Sequence, residues 1–241
     1  MKLNVVLDLD RTLLLTHPDK DSSENEGGED PKAKYNNLKL FSSAKNKSLR
    51  NKVYVVTMYN LTGDCTGQDD KMYGVYRPYL QEFLDFLDEE CDNVIVWTAG
   101  IRSYGYAITQ NIFLKSKKKP ILVYTKINRG YEFESSVKPL RDLYNDPICK
   151  EKGITSKNTI IIDDNPDTFI RNKDNALFIS EFDCDIKKKD ILEHEDDDLL
   201  KAIRWMQTKV VRECTDIRKV NKENVFKTSI EEYDELLLKE N

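Results

Sequence analysis

The sequence predicts an α/β fold, a doubly wound parallel sheet of five strands with a β-hairpin insertion after the first strand. Three observations carry this. Five apolar runs of strand length, rich in Val and Ile, recur along the chain; helical stripes separate most of them; and one long segment after the first run breaks the alternation. Unbroken apolarity over four or five residues suits central parallel strands covered on both faces. Alternation with helices gives right-handed βαβ units.

The first run is Leu3 to Leu7. Residues 13–76 follow, too long for a simple crossover. The stretch Asp19 to Pro31 is rich in Asp, Glu, Ser and Gly and is expected to be a mobile acidic loop. Val53 to Thr57 and Lys71 to Tyr76 flank a polar stretch containing Gly63 and Gly67, the pattern of a hairpin. An insertion at this point lies over the carboxyl edge of the sheet, where open α/β folds bind ligands, and is expected to act as a substrate cap. Pro78 is expected in the first turn of a helix whose stripe is Leu80, Phe83, Leu84 and Leu87. The second run, Val94 to Trp97, leads to a helix from Ser103 through Tyr104, Ile108 and Ile112. The third, Ile121 to Tyr124, precedes a helix carrying Val137, Leu140, Leu143 and Tyr144. The fourth and fifth are Thr159 to Ile162 and Ala176 to Ile179, and a last helix holds Leu199, Ile203, Met206 and Val210. Residues 1–214 thus read as one domain, with residues 13–76 as its insertion, and 215–241 as a charged tail with a short helix near Ile230 to Leu238, to which no chemistry is assigned.

Composition narrows the function. A chain of 241 residues fits one core, since chains divide only beyond roughly 250 to 300. It is 39 % hydrophobic and 34 % charged, with a mean hydropathy of -0.63. No run approaches the ~20 apolar residues of a membrane span, and Asp8 and Asp10 interrupt the N-terminal apolar stretch, so an intracellular protein without a secretory signal is expected. Cys65, Cys91, Cys149, Cys184 and Cys214 are far apart, without a CxxC, which fits reduced thiols better than zinc or disulfides. Only His17 and His194 are present, against zinc hydrolysis and against a Ser-His-Asp scheme. Net charge is -5, unlike the basic excess of a nucleic-acid binder. Lysines 117–119 and 187–189 are the remaining anion patches, more simply read as solvated charge.

The residues that carry chemistry sit at strand ends. Asp8-Leu9-Asp10-Arg11-Thr12 follows the first strand, so two carboxylates extend past the sheet's carboxyl edge, able to divide the roles of nucleophile and general acid. Trp97-Thr98-Ala99-Gly100 ends the second strand with a hydroxyl and small residues whose backbone N–H groups suit a phosphate. Lys138 precedes a helix; a lone lysine is ordinarily surface charge, but here it can neutralise a phosphate and a nucleophilic aspartate. Ile162-Asp163-Asp164-Asn165-Pro166 ends the fourth strand with two acids, costly together unless a cation or a lysine meets them. A metal in such carboxylate surroundings is a hard cation such as Mg²⁺.

The set Asp8/Asp10/Thr12, Thr98, Lys138 and Asp163/Asp164 resembles the four motifs of the haloacid dehalogenase superfamily. Within it, Arg77-Pro78-Tyr79-Leu80 with Glu82-Phe83-Leu84, Trp97-Thr98-Ala99, Tyr104, Val137-Lys138-Pro139-Leu140, Asp163-Asp164-Asn165-Pro166 and Asn175-Ala176 are similar to the small DxDxT phosphatases that act on the C-terminal domain (CTD) of RNA polymerase II. The likeness covers about residues 3–210. One departure is Arg11, where that family usually has Glu; another is the acidic loop 19–31.

The resemblance implies a haloacid dehalogenase-like fold and a Mg²⁺-dependent protein serine/threonine phosphatase. Asp8 would attack phosphorus to form an aspartyl-phosphate, while Asp10 protonates the leaving oxygen and then activates water. Mg²⁺ would be held by Asp8, the carbonyl of Asp10 and Asp164, with Asp163 orienting Lys138; which of the two acids touches the metal stays open. Thr98 and the N–H groups of Leu9, Asp10 and Ala99 would bind phosphate oxygens, with Thr12 counted among them and Lys126 as a second basic contact. Tyr104, Tyr54 and Val56 would form an apolar slot for a proline ring beside the phosphorylated residue, with core packing as the alternative. The implied partner is a phosphorylated peptide or protein, the CTD above all, met by a monomer in the nucleus or at a viral transcription site, with neither membrane nor direct nucleic-acid contact. Two other readings are a phosphatase of nucleic-acid ends or small phosphoesters, and an inactive peptide-binding module.

Overall fold

A computed structural model describes residues 1–18, 47–49, 51–59, 70–128, 131–132, 137–185 and 187–240. Five parallel strands form the central sheet: β1 (Asn4–Leu7), β5 (Asn93–Trp97), β6 (Leu122–Tyr124), β9 (Thr159–Asp163) and β10 (Ala176–Phe178), in the order β10-β9-β1-β5-β6; β7 (Ile127–Asn128) and β8 (Tyr131–Glu132) pair with each other in a two-stranded sheet. Leu7 lies beside Val96 on one side and Ile162 on the other, so the ends of three strands come level. The chain winds outward from β1 to β5 and β6, then returns to build β9 and β10 on the opposite side. That reversal places the topological switch point at the carboxyl ends of β1 and β9, the position at which open α/β sheets bind ligands.

Alternate residues of each strand serve different cores. Val5, Leu7, Val94, Val96, Ile160 and Ile162 face a core shared with the helices Leu80–Glu90, Arg102–Ile112 and Asp198–Gln207. Val6, Ile95, Trp97 and Ile161 face a second one with Leu140, Leu143, Cys149 and Phe169. Burial on both faces is why these strands read as unbroken apolar runs.

The insertion forms a separate antiparallel sheet in which β4 (Asp70–Tyr76) lies between β2 (Leu14–Pro18) and β3 (Val53–Met58). The expected hairpin pairs with Val53 opposite Val75 and Thr57 opposite Lys71. Strand β2 was not anticipated. Leu14, Tyr54, Val56 and Met58 turn toward the main core, while Leu15, Val53, Tyr73 and Val75 pack on Phe182, Cys184 and Ile191. The acidic stretch Asp19 to Pro31, Gly63, Gly67 and Cys65 lie outside the described residues.

Several boundaries differ from expectation for identifiable reasons. Pro78 lies ahead of the helix Leu80–Glu90 rather than in its first turn, because Tyr79 takes a left-handed conformation (φ 61°) between them. The stripe Leu80, Phe83, Leu84 and Leu87 is buried as expected. The helix expected around Val137 to Tyr144 is only Leu140–Asn145; Asp146 is extended ahead of Pro147, which opens another short helix, Pro147–Glu151. Thr208 breaks the last predicted helix after Gln207, and Val210 falls on the next one, Lys209–Arg212, where it is exposed.

Residues 215–240 are charged but not merely appended. Ile217, Val220, Val225 and Tyr233 are buried in the main core, and the Tyr233 hydroxyl donates to the Val225 carbonyl at 3.0 Å. The expected helix is Ile230–Glu240. The lysine clusters serve the fold: Lys118 donates to the Cys91 carbonyl just after the helix Leu80–Glu90, Lys119 donates to main-chain carbonyls just after the helix Arg102–Ile112, and Lys187 and Lys189 pair with Asp185 and Glu193. No described helix is long and apolar enough to cross a membrane.

One buried cation ties the small sheet to the large one. Arg77, just after β4, has a fully buried side chain. Its Nε donates to Asp196 at 3.0 Å, and Nη2 donates to Asp198 at 3.1 Å; Nη1 donates to the carbonyls of Thr12 (3.0 Å) and Ser180 (2.9 Å). The guanidinium also lies 5.7 Å from the Phe182 ring centroid. Five planar donors let arginine satisfy so many acceptors at once. Replacing Arg77 by Met strands these partners and is expected to cost about 3 to 5 kcal/mol in urea unfolding. A loss within ~0.5 kcal/mol, the size of an ordinary surface substitution, would contradict this role.

Candidate active site

The site starts where β1 runs out. Asp8 keeps the sheet register, its N–H donating to the Ile162 carbonyl at 3.1 Å, and then the chain curls. The N–H groups of Leu13 and Leu14 return to the Leu9 carbonyl (2.9 and 3.3 Å), and that of Arg11 donates to Leu14 (2.7 Å). This tight loop needs a left-handed residue, which is Arg11 at φ 60°. Its side chain points outward to pair with Glu181, both about half exposed.

Lys138 closes the centre. Its ammonium donates to Asp8 Oδ1 and, at 2.6 Å, to Asp163 Oδ2, and all three side chains are buried. Asp163 Oδ1 accepts the Asn165 N–H at 2.9 Å. Asp164 Oδ1 accepts the Thr12 hydroxyl at 2.7 Å, and the Asp164 N–H donates back to Thr12 Oγ1 at 3.2 Å. Asp8, Asp163 and Asp164 offer oxygens all within 4.8 Å of one another. Burial pushes the Asp8 carboxyl well above the usual carboxylate range, against the pull of Lys138. Burial likewise raises Asp10 and Asp164. For Lys138, burial opposes the charge, but the attraction of Asp8 and Asp163 wins and holds its pKa above the ordinary value.

Four carboxylates, Asp8, Asp10, Asp163 and Asp164, thus gather around one ammonium. Hard oxygen donors this close, with an uncompensated negative balance, fit a divalent cation of the Mg²⁺ type. Asp8 and Asp164 can offer it oxygens directly. Asp163 has one oxygen on Lys138 and the other on a backbone N–H, an arrangement that orients Lys138.

Thr98 arrives from β5. It is buried, its N–H donates to the Tyr124 carbonyl (2.9 Å), and Oγ1 accepts the Gly100 N–H (3.0 Å). The helix Arg102–Ile112 packs on it through Gly105, where a Cβ would come within 2.8 Å of the Thr125 side chain and 3.0 Å of Thr98. Ala99 is exposed beside it. The Lys126 N–H donates to the Gly100 carbonyl at 2.9 Å, which brings this exposed lysine next to the Thr98 loop.

Two expectations change. The Thr12 hydroxyl is engaged with Asp164 in both directions, so it positions that acid instead of facing a phosphate. Tyr104, Tyr54 and Val56 are 5 %, 4 % and 8 % exposed and belong to the main core, so they line no open proline slot. Instead Tyr104 donates to Asp10 Oδ1, and Thr16 Oγ1 lies 2.7 Å from the hydroxyls of both Tyr104 and Tyr54.

Three contributors were missed. Thr16 carried no signal in an apolar run. Arg77 was noticed only as part of a motif, yet it holds the Thr12 carbonyl. Asn172 is buried and clamps the Lys138 segment: its Nδ2 donates to the Lys138 carbonyl at 2.8 Å, and its Oδ1 accepts the Leu140 N–H at 3.0 Å. An isolated asparagine 34 residues away leaves no local pattern to find.

Comparison with known proteins agrees with this geometry. The family model of NLI interacting factor-like phosphatases matches residues 3–218. Among solved structures, Fcp1, an essential RNA polymerase II CTD phosphatase, superposes with a TM-score of 0.55 at 19 % identity, over 85 % of this chain and 50 % of that one. Fission yeast Fcp1-R271A bound to beryllium fluoride gives a TM-score of 0.53 at 17 % identity, over 99 % and 52 %. At these identities the likeness is one of fold, and the chain spans about half the length of these structures. Among curated proteins none matches the chain. With its parallel sheet and its family match along most of its length, the chain belongs to the NLI interacting factor-like phosphatases.

Proposed function

We propose that this phosphatase is a Mg²⁺-dependent protein serine/threonine phosphatase working through an aspartyl-phosphate, with the phosphorylated CTD of RNA polymerase II as its substrate. The observation that carries the chemistry is the gathering of Asp8, Asp10, Lys138 and the pair Asp163/Asp164 at one edge of the sheet.

Asp8 is the nucleophile, its carboxylate forming a bond to phosphorus as the bond to the serine or threonine oxygen breaks. Asp10 gives that oxygen its proton, then takes one from the water that hydrolyses the aspartyl-phosphate. Lys138 opposes the burial that disfavours the Asp8 carboxylate and meets negative charge on the phosphoryl group. Thr98 and the N–H groups of Leu9, Asp10 and Ala99 receive the phosphoryl oxygens, with Lys126 at the rim. Bound Mg²⁺ would neutralise charge on the substrate, with Asp8, the Asp10 carbonyl and Asp164 holding it. The CTD assignment draws support from the motif resemblance and from the fold shared with Fcp1; the place of action is then the nucleus or a viral transcription site. Net charge -5 speaks against nucleic-acid ends as substrate, and the complete set of acids and Lys138 speaks against an inactive binding module.

Purified protein is expected to hydrolyse an aryl phosphate with Mg²⁺ and to stop when EDTA is added. Asp8→Asn should lower turnover by a factor of about 10³ or more, the scale of losing a nucleophile. A wild-type chain without turnover would sink the enzyme reading.

The substrate is decided by a panel of CTD heptad peptides phosphorylated at the second, fifth or seventh position, beside a 5′-phosphorylated oligonucleotide. One heptad position is expected to exceed the oligonucleotide by about tenfold or more in kcat/KM, some 1.4 kcal/mol of discrimination. Equal weak rates on all would remove the CTD assignment while leaving the phosphatase chemistry standing.

A further inference from the structure

Asp10 is the acid of the proposed reaction, and its surroundings are unusually specific. Tyr104, from the helix Arg102–Ile112, donates its hydroxyl proton to Asp10 Oδ1. Behind it, Thr16 Oγ1 on β2 lies 2.7 Å from the Tyr104 hydroxyl and 2.7 Å from that of Tyr54 on β3, and the Tyr54 hydroxyl is 3.4 Å from the Leu15 carbonyl. Each hydroxyl has one proton to give. Tyr104 gives its proton to Asp10, and the hydroxyls of Thr16 and Tyr54 stand behind it in one connected network. Tyr104 thus occupies Oδ1, and Thr16 adds a second side-chain hydrogen bond to the same carboxyl.

The packing is built to hold this network in place. Gly74 on β4 lies directly under Tyr54, and any Cβ there would collide with the ring and with the Leu15 carbonyl. A Cβ at Gly100 would meet the Tyr104 ring. Both tyrosines are buried, and the network joins the inserted sheet to the central domain.

We propose that Tyr104, Thr16 and Tyr54 are positioning residues for Asp10, a hydrogen-bond network that fixes its carboxyl for protonation of the leaving alcohol. This rests on the reading of Asp10 as general acid. The inserted sheet then contributes to the chemistry itself and does not only cover the substrate.

A general acid matters most when the leaving group is poor. A serine alkoxide needs the proton, whereas p-nitrophenolate departs without it. The test compares kcat/KM for a phosphoserine peptide and for p-nitrophenyl phosphate, because that parameter covers the steps through leaving-group departure. A well-placed general acid contributes roughly 10² to 10⁴. Tyr104→Phe is therefore expected to slow the peptide about tenfold or more and the aryl ester by less than about threefold, with the peptide KM unchanged. Thr16→Val and Tyr54→Phe should shift the ratio in the same direction by smaller factors. The ratio within one preparation does not depend on the folded fraction, so a destabilised variant still gives an answer. Equal losses on both substrates, a rise in peptide KM at constant kcat, or unchanged rates would each overturn the proposal and leave the phosphatase reading intact. A wild-type chain inactive on both substrates would remove that reading and this inference together.

Discussion

The site depends on one buried ammonium. Lys138 bridges Asp8, which follows the central strand, and Asp163, which ends its neighbour, so three segments distant in sequence converge on a point. A carboxylate removed from water is costly unless paired, and two of them 4.8 Å or less apart are costlier still. Lysine between them makes their burial tolerable, and the parallel register of β1 and β9 makes the bridge geometrically possible. Asn172 fixes the Lys138 backbone, Thr12 fixes Asp164, and Arg77 fixes the Thr12 carbonyl. Each acid thus has a group that holds its position, and the carboxylates still outnumber the cation.

The same logic explains position 11, the departure from the DxDxT family's usual Glu. Its φ of 60° is a demand of the loop, which any non-glycine residue meets at some cost. The Arg11 carbonyl accepts the Phe182 N–H at 2.7 Å, and its side chain pairs with Glu181, so the residue ties the Asp8–Thr12 loop to the segment after β10 from the outside. An exposed pair of this kind contributes about 0 to 1 kcal/mol. The centre's charge balance is set by its buried groups.

How much was legible follows from the range of each interaction. The five strands could be read because burial on both faces leaves a continuous apolar run, and the acids because a carboxylate at the end of such a run has few structural uses. Strand β2 was hidden because Leu13, Leu14 and Leu15 directly follow the Asp8–Thr12 loop and show no alternation, both faces of the small sheet being buried. Partnerships such as Arg77 with Asp196, 119 residues apart, or Thr12 with Asp164, 152 apart, leave no periodic trace. Tyr54, Val56 and Tyr104 were picked out for their apolar bodies, but their hydrophobicity does not reveal which way a hydroxyl points. The C-terminal segment misled by its charge: Ile217, Val220, Val225 and Tyr233 are spaced too irregularly to form a stripe, yet they reach the core.

For the proposed function, the acids around Lys138 must form a site that one divalent cation brings to balance. Urea unfolding of the wild-type chain and of Asp164→Asn, with and without Mg²⁺ at matched ionic strength, measures this without reference to any substrate. At 100 times its Kd, Mg²⁺ should raise the stability of the wild-type chain by about 2.7 kcal/mol, and Asp164→Asn should lose most of that gain. A wild-type stability indifferent to Mg²⁺ would contradict the claim.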